Sequence, residues 1–292
     1  MVCAAIVALV AHFRNRFQST HELLARLPAD EAVILSIDFA ALRRAGVLRI
    51  FEGSDLLQEP EYQAFKAGSG FDYLRDLDWV LASLGPGGSY FMLRGRFDWN
   101  SLSDYVTRQG GACYNSFCRA SGSAPDRKIS YFPLQSDVMA LAVAKDEYAA
   151  SQLLSRRPGT RPAAWRAEPV WFFIPASRLR QTEAWPAGAR SFAGALGASE
   201  GILLLAGPRG NRWEVVLEVT CRSSQEASEL AGQLGKLTAL LREMMARENK
   251  PPDPRHLSGL LTAGVFDAKG GTVHGRWPLE RAFLEALAGG AP

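Results

Sequence analysis

Four cysteines and four histidines are the residues of this 292-residue chain most able to do chemistry. Cys3, Cys113, Cys118 and Cys221 form no C-x-x-C pair, and none has histidine partners at zinc-finger spacing. Cys113 and Cys118 flank Tyr-Asn-Ser-Phe in the segment Gly-Ala-Cys-Tyr-Asn-Ser-Phe-Cys-Arg, which reads as two short strands around a four-residue turn. A hairpin can bring two flanking Cβ atoms to disulfide distance, and so small a loop gains about 2 kcal/mol. We expect this pair to be bonded; the competing reading is two free thiols in a reducing compartment. His12, His21, His256 and His274 offer no i, i+4 pair and no H-E-x-x-H motif. There is no G-x-S-x-G and no G-x-G-x-x-G.

The acidic cluster Asp72, Asp76 and Asp78 lies in FDYLRDLD. Carboxylates are hard oxygen ligands for a cation, but apolar Leu77 interrupts the alternation a calcium loop needs. A helical cap at Asp72 and a strand edge at Asp76 and Asp78 suit the pattern better. Gly85-Pro86-Gly87-Gly88 suggests a phosphate cradle, yet it joins two strands, whereas a P-loop runs from strand to helix and carries a following lysine. Seven tryptophans are present. Trp79, Trp171, Trp213 and Trp277 fall in strand-like segments and read as core, while Trp99 and Trp185 look exposed and suit a surface contact. No catalytic site and no cofactor is expected from these residues.

The elements that must position them alternate between helix and strand. Glu31–Asp38 reads as a central strand, Phe39–Phe51 as a helix, and Leu77–Leu84 with Ser89–Phe97 as a hairpin. Asp98 caps a helix over Trp99–Arg108. Strands over Lys128–Phe132 and Asp137–Ala144 and a closing helix over Asp146–Leu154 follow. Arg156–Pro169, with three prolines and four arginines, reads as a linker. The order then returns, with a strand over Val170–Ile174, a hairpin of Gly201–Ala206 and Trp213–Thr220, and a long helix over Ser224–Glu248 capped by Ser223. A hairpin of Thr262–Ala268 and Thr272–Trp277 and a last helix over Leu279–Leu287 end the chain.

Aligned without a gap, Gly85-Pro86 falls on Gly207-Pro208, Phe91 on Trp213 and Leu93 on Val215. This predicts an α+β fold made by tandem duplication of a ferredoxin-like β-α-β-β-α-β unit behind an N-terminal apolar helix. The expected partition is 1–18 for that helix, 19–155 for the first repeat, 156–169 for the linker and 170–292 for the second repeat. On the long helix, Leu230, Leu234, Leu237, Leu241 and Met244 make a seam that reads as core, and Leu240 and Met245 widen it into a candidate docking surface.

Met1–Phe13 is nearly all apolar and is followed at once by Arg14 and Arg16. As a helix it spans about 20 Å, short of the roughly 30 Å hydrocarbon layer. It carries no positive n-region, lipobox or A-x-A site. We read it as the C-terminal half of a signal anchor, beside two alternatives: a membrane-dipping helix, or a buried helix of a soluble protein. Ser19 and Glu22 fit a capping box that starts the folded part. A net charge of +3 with no basic stripe gives no nucleic-acid partner; the 47% hydrophobic content supports a full core.

The Leu27–Leu42 opening LPADEAVILSIDFAAL, the FDYLRDLDWV segment and the repeated hairpin-plus-helix resemble uncharacterised bacterial membrane-anchored envelope proteins, a domain of unknown function. The resemblance implies a bacterial cell envelope location, anchored in the inner membrane with extracytoplasmic domains. It implies no activity. The expected function is a non-enzymatic, membrane-tethered module that binds a protein or other envelope component. A structural subunit of an envelope assembly is the alternative, and an enzyme with a site built from dispersed residues a further one.

Overall fold

The computed structural model describes residues 20–52, 54, 59–122, 124–155, 166–180, 187–197, 199–210 and 212–289. Met1–Phe13, the Ser19 cap and Trp185 lie outside the described residues, as does most of the expected linker.

Among the described residues twelve strands form one continuous antiparallel sheet. They are β1 (Val33–Ile37), β2 (Leu77–Gly85), β3 (Gly88–Gly95), β4 (Ala112–Tyr114), β5 (Phe117–Ser121), β6 (Lys128–Gln135), β7 (Val138–Ala144), β8 (Val170–Pro175), β9 (Gly201–Arg209), β10 (Arg212–Thr220), β11 (Val265–Lys269) and β12 (Thr272–Leu279). Their order across the sheet is β11-β12-β10-β9-β8-β1-β2-β3-β7-β6-β5-β4. From the central β1–β8 pair outward, each half therefore reads strand, hairpin, then a second hairpin entered by its last strand, and the first half adds the β5–β4 hairpin at its edge. Leu35 pairs with Phe172, and each lies four residues before the helix that follows its strand. The join is thus symmetric about that pair.

Two expectations are corrected. A ferredoxin-like unit is itself antiparallel, but its β-α-β crossovers skip a strand and set its first strand between its third and fourth; here β1 lies between β2 and β8. The repeat also does not align without a gap. Val80 pairs with Leu93, thirteen residues on, whereas Ile202 pairs with Val219, seventeen residues on. Gly85-Pro86 opens the first turn, with Gly85 opposite Gly88. Pro208 instead pairs with Trp213 inside the ladder, and the second turn waits for Gly210, whose φ of 61° is left-handed. Leu93 consequently matches Val219, not Val215.

The helices are α1 (Thr20–Leu24), α2 (Phe39–Arg44), α3 (Pro60–Ser69), α4 (Tyr73–Asp76), α5 (Trp99–Arg108), α6 (Ala176–Leu179), α7 (Ala187–Leu196), α8 (Ser224–Arg247), α9 (Leu257–Thr262) and α10 (Arg281–Ala288). Asp98 caps α5 by accepting from the Asn100 and Ser101 N–H groups, both at 3.1 Å. Ser223 caps α8 by accepting from Glu226 N–H at 3.1 Å. The expected helix over Phe39–Phe51 breaks at Gly46, where φ is 74°, into α2 and a 3-10 turn over Val47–Phe51. The expected closing helix is a 3-10 turn over Ala149–Leu154. In place of a strand beginning at Thr262, α9 ends there and β11 starts at Val265.

Period-two alternation assigns the layers. Leu93, Val80, Ile37, Val170, Ala206 and Val215 are consecutive cross-strand neighbours on one face. That face carries the clusters under α5, under α6–α8, and under α2 with α10. On the opposite face Met92, Leu81, Ser36, Trp171, Leu205 and Val216 follow one another, then Arg276 and Val265. Here α1 and the 3-10 turn cover the row from Met92 to Leu205. Beyond Val216 the face turns polar, and Val265 is exposed.

Candidate functional site

The disulfide between Cys113 and Cys118 forms as the sequence suggests. The two residues are directly opposed on β4 and β5, with Tyr114 opposite Phe117. The turn is therefore two residues, Asn115 and Ser116, with φ of 48° and 64°. Two left-handed residues match the twist of a tight hairpin, and asparagine tolerates that conformation. Cys118 is fully buried beneath α5 beside Leu102, Val106 and Tyr131, so the bridge fastens an edge hairpin to the first core.

The acidic cluster is structural. Asp72 caps α4 by accepting from Leu74 N–H at 3.1 Å, pairs with Lys66 at 2.6 Å, and accepts from the Tyr62 hydroxyl at 3.2 Å. Burial pushes Asp72 up, but Lys66 and these hydrogen bonds outweigh it and hold the carboxyl below its ordinary value. Burial, with Asp72 beside it, raises the Tyr62 phenol. Asp76 is buried and accepts from Arg75 Nε and Nη2 at 3.0 and 2.7 Å, and from Asp72 N–H at 3.0 Å. Arg96 stands 3.1 Å away. The Arg75 hydrogen bond foremost depresses its pKa. Asp78 meets Arg43 at 3.4 Å. Carboxylates so neutralised are poor cation ligands, and among the described residues no group of three His, Cys, Asp or Glu could hold a metal.

The expected surface residues separate. Trp99 is half-buried: its indole N–H donates to the Ser136 carbonyl at 3.0 Å and its ring lies 5.1 Å from Phe97. It belongs to the packing at the start of α5 rather than to a free surface. Leu240 is exposed, and its exposed neighbour one turn on is Met244, with Met245 half-buried. Of the expected seam on α8, Leu230 and Leu234 are buried, Leu237 and Leu241 are half-buried, and Met244 leaves the core. His256 lies 3.6 Å from Asp253 on an exposed loop. His274 stands between Glu218 and Asp267 on the open sheet face.

A cavity of about 230 Å³ lies on the helical face of the second half. Ile202, Leu204 and Leu217 form its floor, Phe192 and Leu196 come from α7, and α9 closes it with Leu257, Leu260 and Leu261. Every lining side chain is a hydrocarbon or an aromatic ring. Trp277 is one of them, and its indole N–H has no hydrogen-bond partner among the described residues. Gly264 and Gly275 make room for that ring: a Cβ at either would come within 2.6 and 2.9 Å of it. The space exceeds the roughly 150 Å³ apolar cavity that stays dry and takes benzene. The site was not legible in the sequence because α9 carries no side-chain cap and follows a proline-rich stretch. The available signal was the apolar clustering of Leu257, Leu260 and Leu261.

No family model matches this chain, and no curated protein matches it. Solved structures do. Crystal form I of TP0453 superposes with a TM-score of 0.50 at 12% identity, covering 93% of this chain and 97% of that one. Form IV gives 0.54 at 12%, with 94% and 98% covered. Form III gives 0.52 at 11%, with 94% and 99% covered. The likeness is one of fold. Among the described residues no helix is long and apolar enough to cross a membrane.

Proposed function

We propose that this chain is a non-enzymatic binding module of a bacterial envelope that holds an apolar chain or ring system in the cavity beneath α7, α8 and α9. The observation that carries the reading is the cavity itself, with hydrocarbon on every wall and a volume near 230 Å³. Leaving this half-open apolar space empty forfeits dispersion contacts along its walls, and an apolar occupant restores them. The disulfide suits an oxidising compartment, and the apolar run Met1–Phe13 suits a tether. The symmetric join at Leu35–Phe172 suits two copies of one ancestral unit. One copy is hollow and the other filled.

The test is fluorescence titration with the neutral apolar dye 1-N-phenylnaphthylamine. The wild-type protein should bind it and brighten the dye, and Leu257→Trp, which pushes a larger ring into the cavity, should abolish the effect. A dark wild-type titration, or an unaffected variant, refutes the reading. The tether is tested separately: the full chain should fractionate with membranes, and a chain lacking residues 1–17 should not.

A second reading, a structural subunit of an envelope assembly, draws on exposed Leu240 and Met244 on the outer half of α8. Leu240→Asp would then break up assemblies while leaving dye binding intact.

A further inference from the structure

A second cleft, of about 830 Å³, opens on the helical face where the two halves meet. Gly46 and the 3-10 turn Val47–Phe51 wall it from the first half. Trp213, Pro278 and the start of α10 wall it from the second. It shares no lining residue with the apolar cavity.

Three arginines line this cleft: Arg49, Arg212 and Arg281. Arg281 is engaged, its Nε donating to Glu285 at 2.7 Å. Arg49 and Arg212 are exposed and make no ion pair or side-chain hydrogen bond among the described residues. One carboxylate, Glu280, remains against them in the lining. Glu280 is also the N-cap of α10 and supplies no side-chain bond there, so the positive end of that helix adds to the excess. Between the charges lie apolar surfaces of Val47, Ile50, Leu284 and half-buried Trp213. Unpartnered guanidinium groups beside an aromatic ring suit an oxyanion carried on an apolar body, because arginine binds carboxylate and phosphate through paired N–H donors.

We propose that this cleft is a binding site for a small amphiphilic organic anion, a carboxylate or a phosphate monoester on an aromatic or alkyl body. Arg49 and Arg212 hold the oxyanion, and Trp213 with Leu284 holds the body. Because Arg49 belongs to the first half and Arg212 to the second, the ligand also ties the halves together across the β1–β8 seam. The site is independent of the apolar cavity, and either can stand without the other.

The experiment is isothermal titration calorimetry on the full chain with 2-naphthoate, 2-naphthyl phosphate and neutral 2-naphthol. The anions should bind, more weakly as salt rises, and naphthol at least tenfold more weakly. The stronger anion identifies the head group. The double variant Arg49→Ala, Arg212→Ala should lose at least about tenfold in anion affinity, the loss expected when charge-assisted hydrogen bonds are removed. If it fails to fold, Arg49→Gln and Arg212→Gln singly should each lose about threefold. Leu257→Trp, which fills the other cavity, should leave anion binding unchanged. The proposal is overturned if neither anion binds at about millimolar concentration, or if naphthol binds as well as the anions. Arginine variants that bind within twofold of wild type, or loss of binding in Leu257→Trp, would also overturn it.

Discussion

The two halves of this sheet share a strand order up to the extra β5–β4 hairpin of the first, and differ in how they are filled. Beneath α5 the first half is packed with aromatic rings: Phe71 stacks on Phe97 at 5.3 Å and Tyr105 meets Phe65 edge-on at 5.3 Å, next to the buried Cys118. At the equivalent place the second half has mostly aliphatic side chains, with Phe192, Phe266 and Trp277 among them, around a void. On the opposite face the relation reverses in kind. The first half is sealed by α1 and the 3-10 turn, whereas the second presents the ion pairs Arg276–Asp267 at 3.1 Å and Arg166–Glu218 at 3.2 Å. One backbone plan thus supports a filled half and a half with internal room. Room for a ligand arises from side-chain volume within the plan.

The sharpest way to break this comparison uses a single row of cross-strand neighbours. Trp171 is fully buried and Arg276 exposed, three strands further along the same face. Trp171→Ala should cost about 3–5 kcal/mol by denaturant unfolding, as large-to-small core changes do. Arg276→Ala should fall within about 0.5 kcal/mol. Similar costs at the two positions would mean that the second half's opposite face is covered.

The next effect belongs to the first half alone. Asp76 has its folded-state pKa held below the ordinary value, first by Arg75. Its stabilisation is therefore present above the unfolded-state value near 3.9 and is lost as pH falls through the folded value. Asp76→Asn should cost about 2 kcal/mol at pH 7, and the gap from wild type should begin to close below roughly pH 4. A gap that persists at lower pH would assign the loss to packing.

The smallest expected effect carries opposite signs in the two halves. Ala193 lines the cavity and Ala140 is fully buried in the closed half. Ala193→Leu should stabilise by about 0.5–1 kcal/mol by filling space, and Ala140→Leu should destabilise by about 1–3 kcal/mol by overpacking. Thermal unfolding of the pair measures both. Equal signs would remove the distinction between filled and hollow.

Much of this plan was legible because it is written in short-range signals. Caps at Asp98 and Ser223, alternation in VILSI and WEVVLEVT, and paired cysteines across a tight turn each act within a few residues. Strand order was not legible. A ferredoxin-like unit and the observed antiparallel hairpins share the opening order of elements and differ only in which strands pair, a choice made by long-range contacts. The four extra residues of the second hairpin were hidden for a related reason, since Gly85 and Gly207 each follow the last residue paired with the central strand, but Gly-Pro opens a turn in only one half. The cavity was the least visible feature. A void is the difference between the volumes of residues brought together from α6, α7, α8, α9 and four strands, and no local pattern encodes it.

The most direct test of the hollow second half is anomalous diffraction from crystals soaked in 1-bromooctane, a chain with a heavy atom and no polar group. The account predicts a bromine peak enclosed by Phe192, Leu234 and Leu260, with none beneath α5. Absence of bromine from that cavity, or an equal peak in the first half's core, would contradict it.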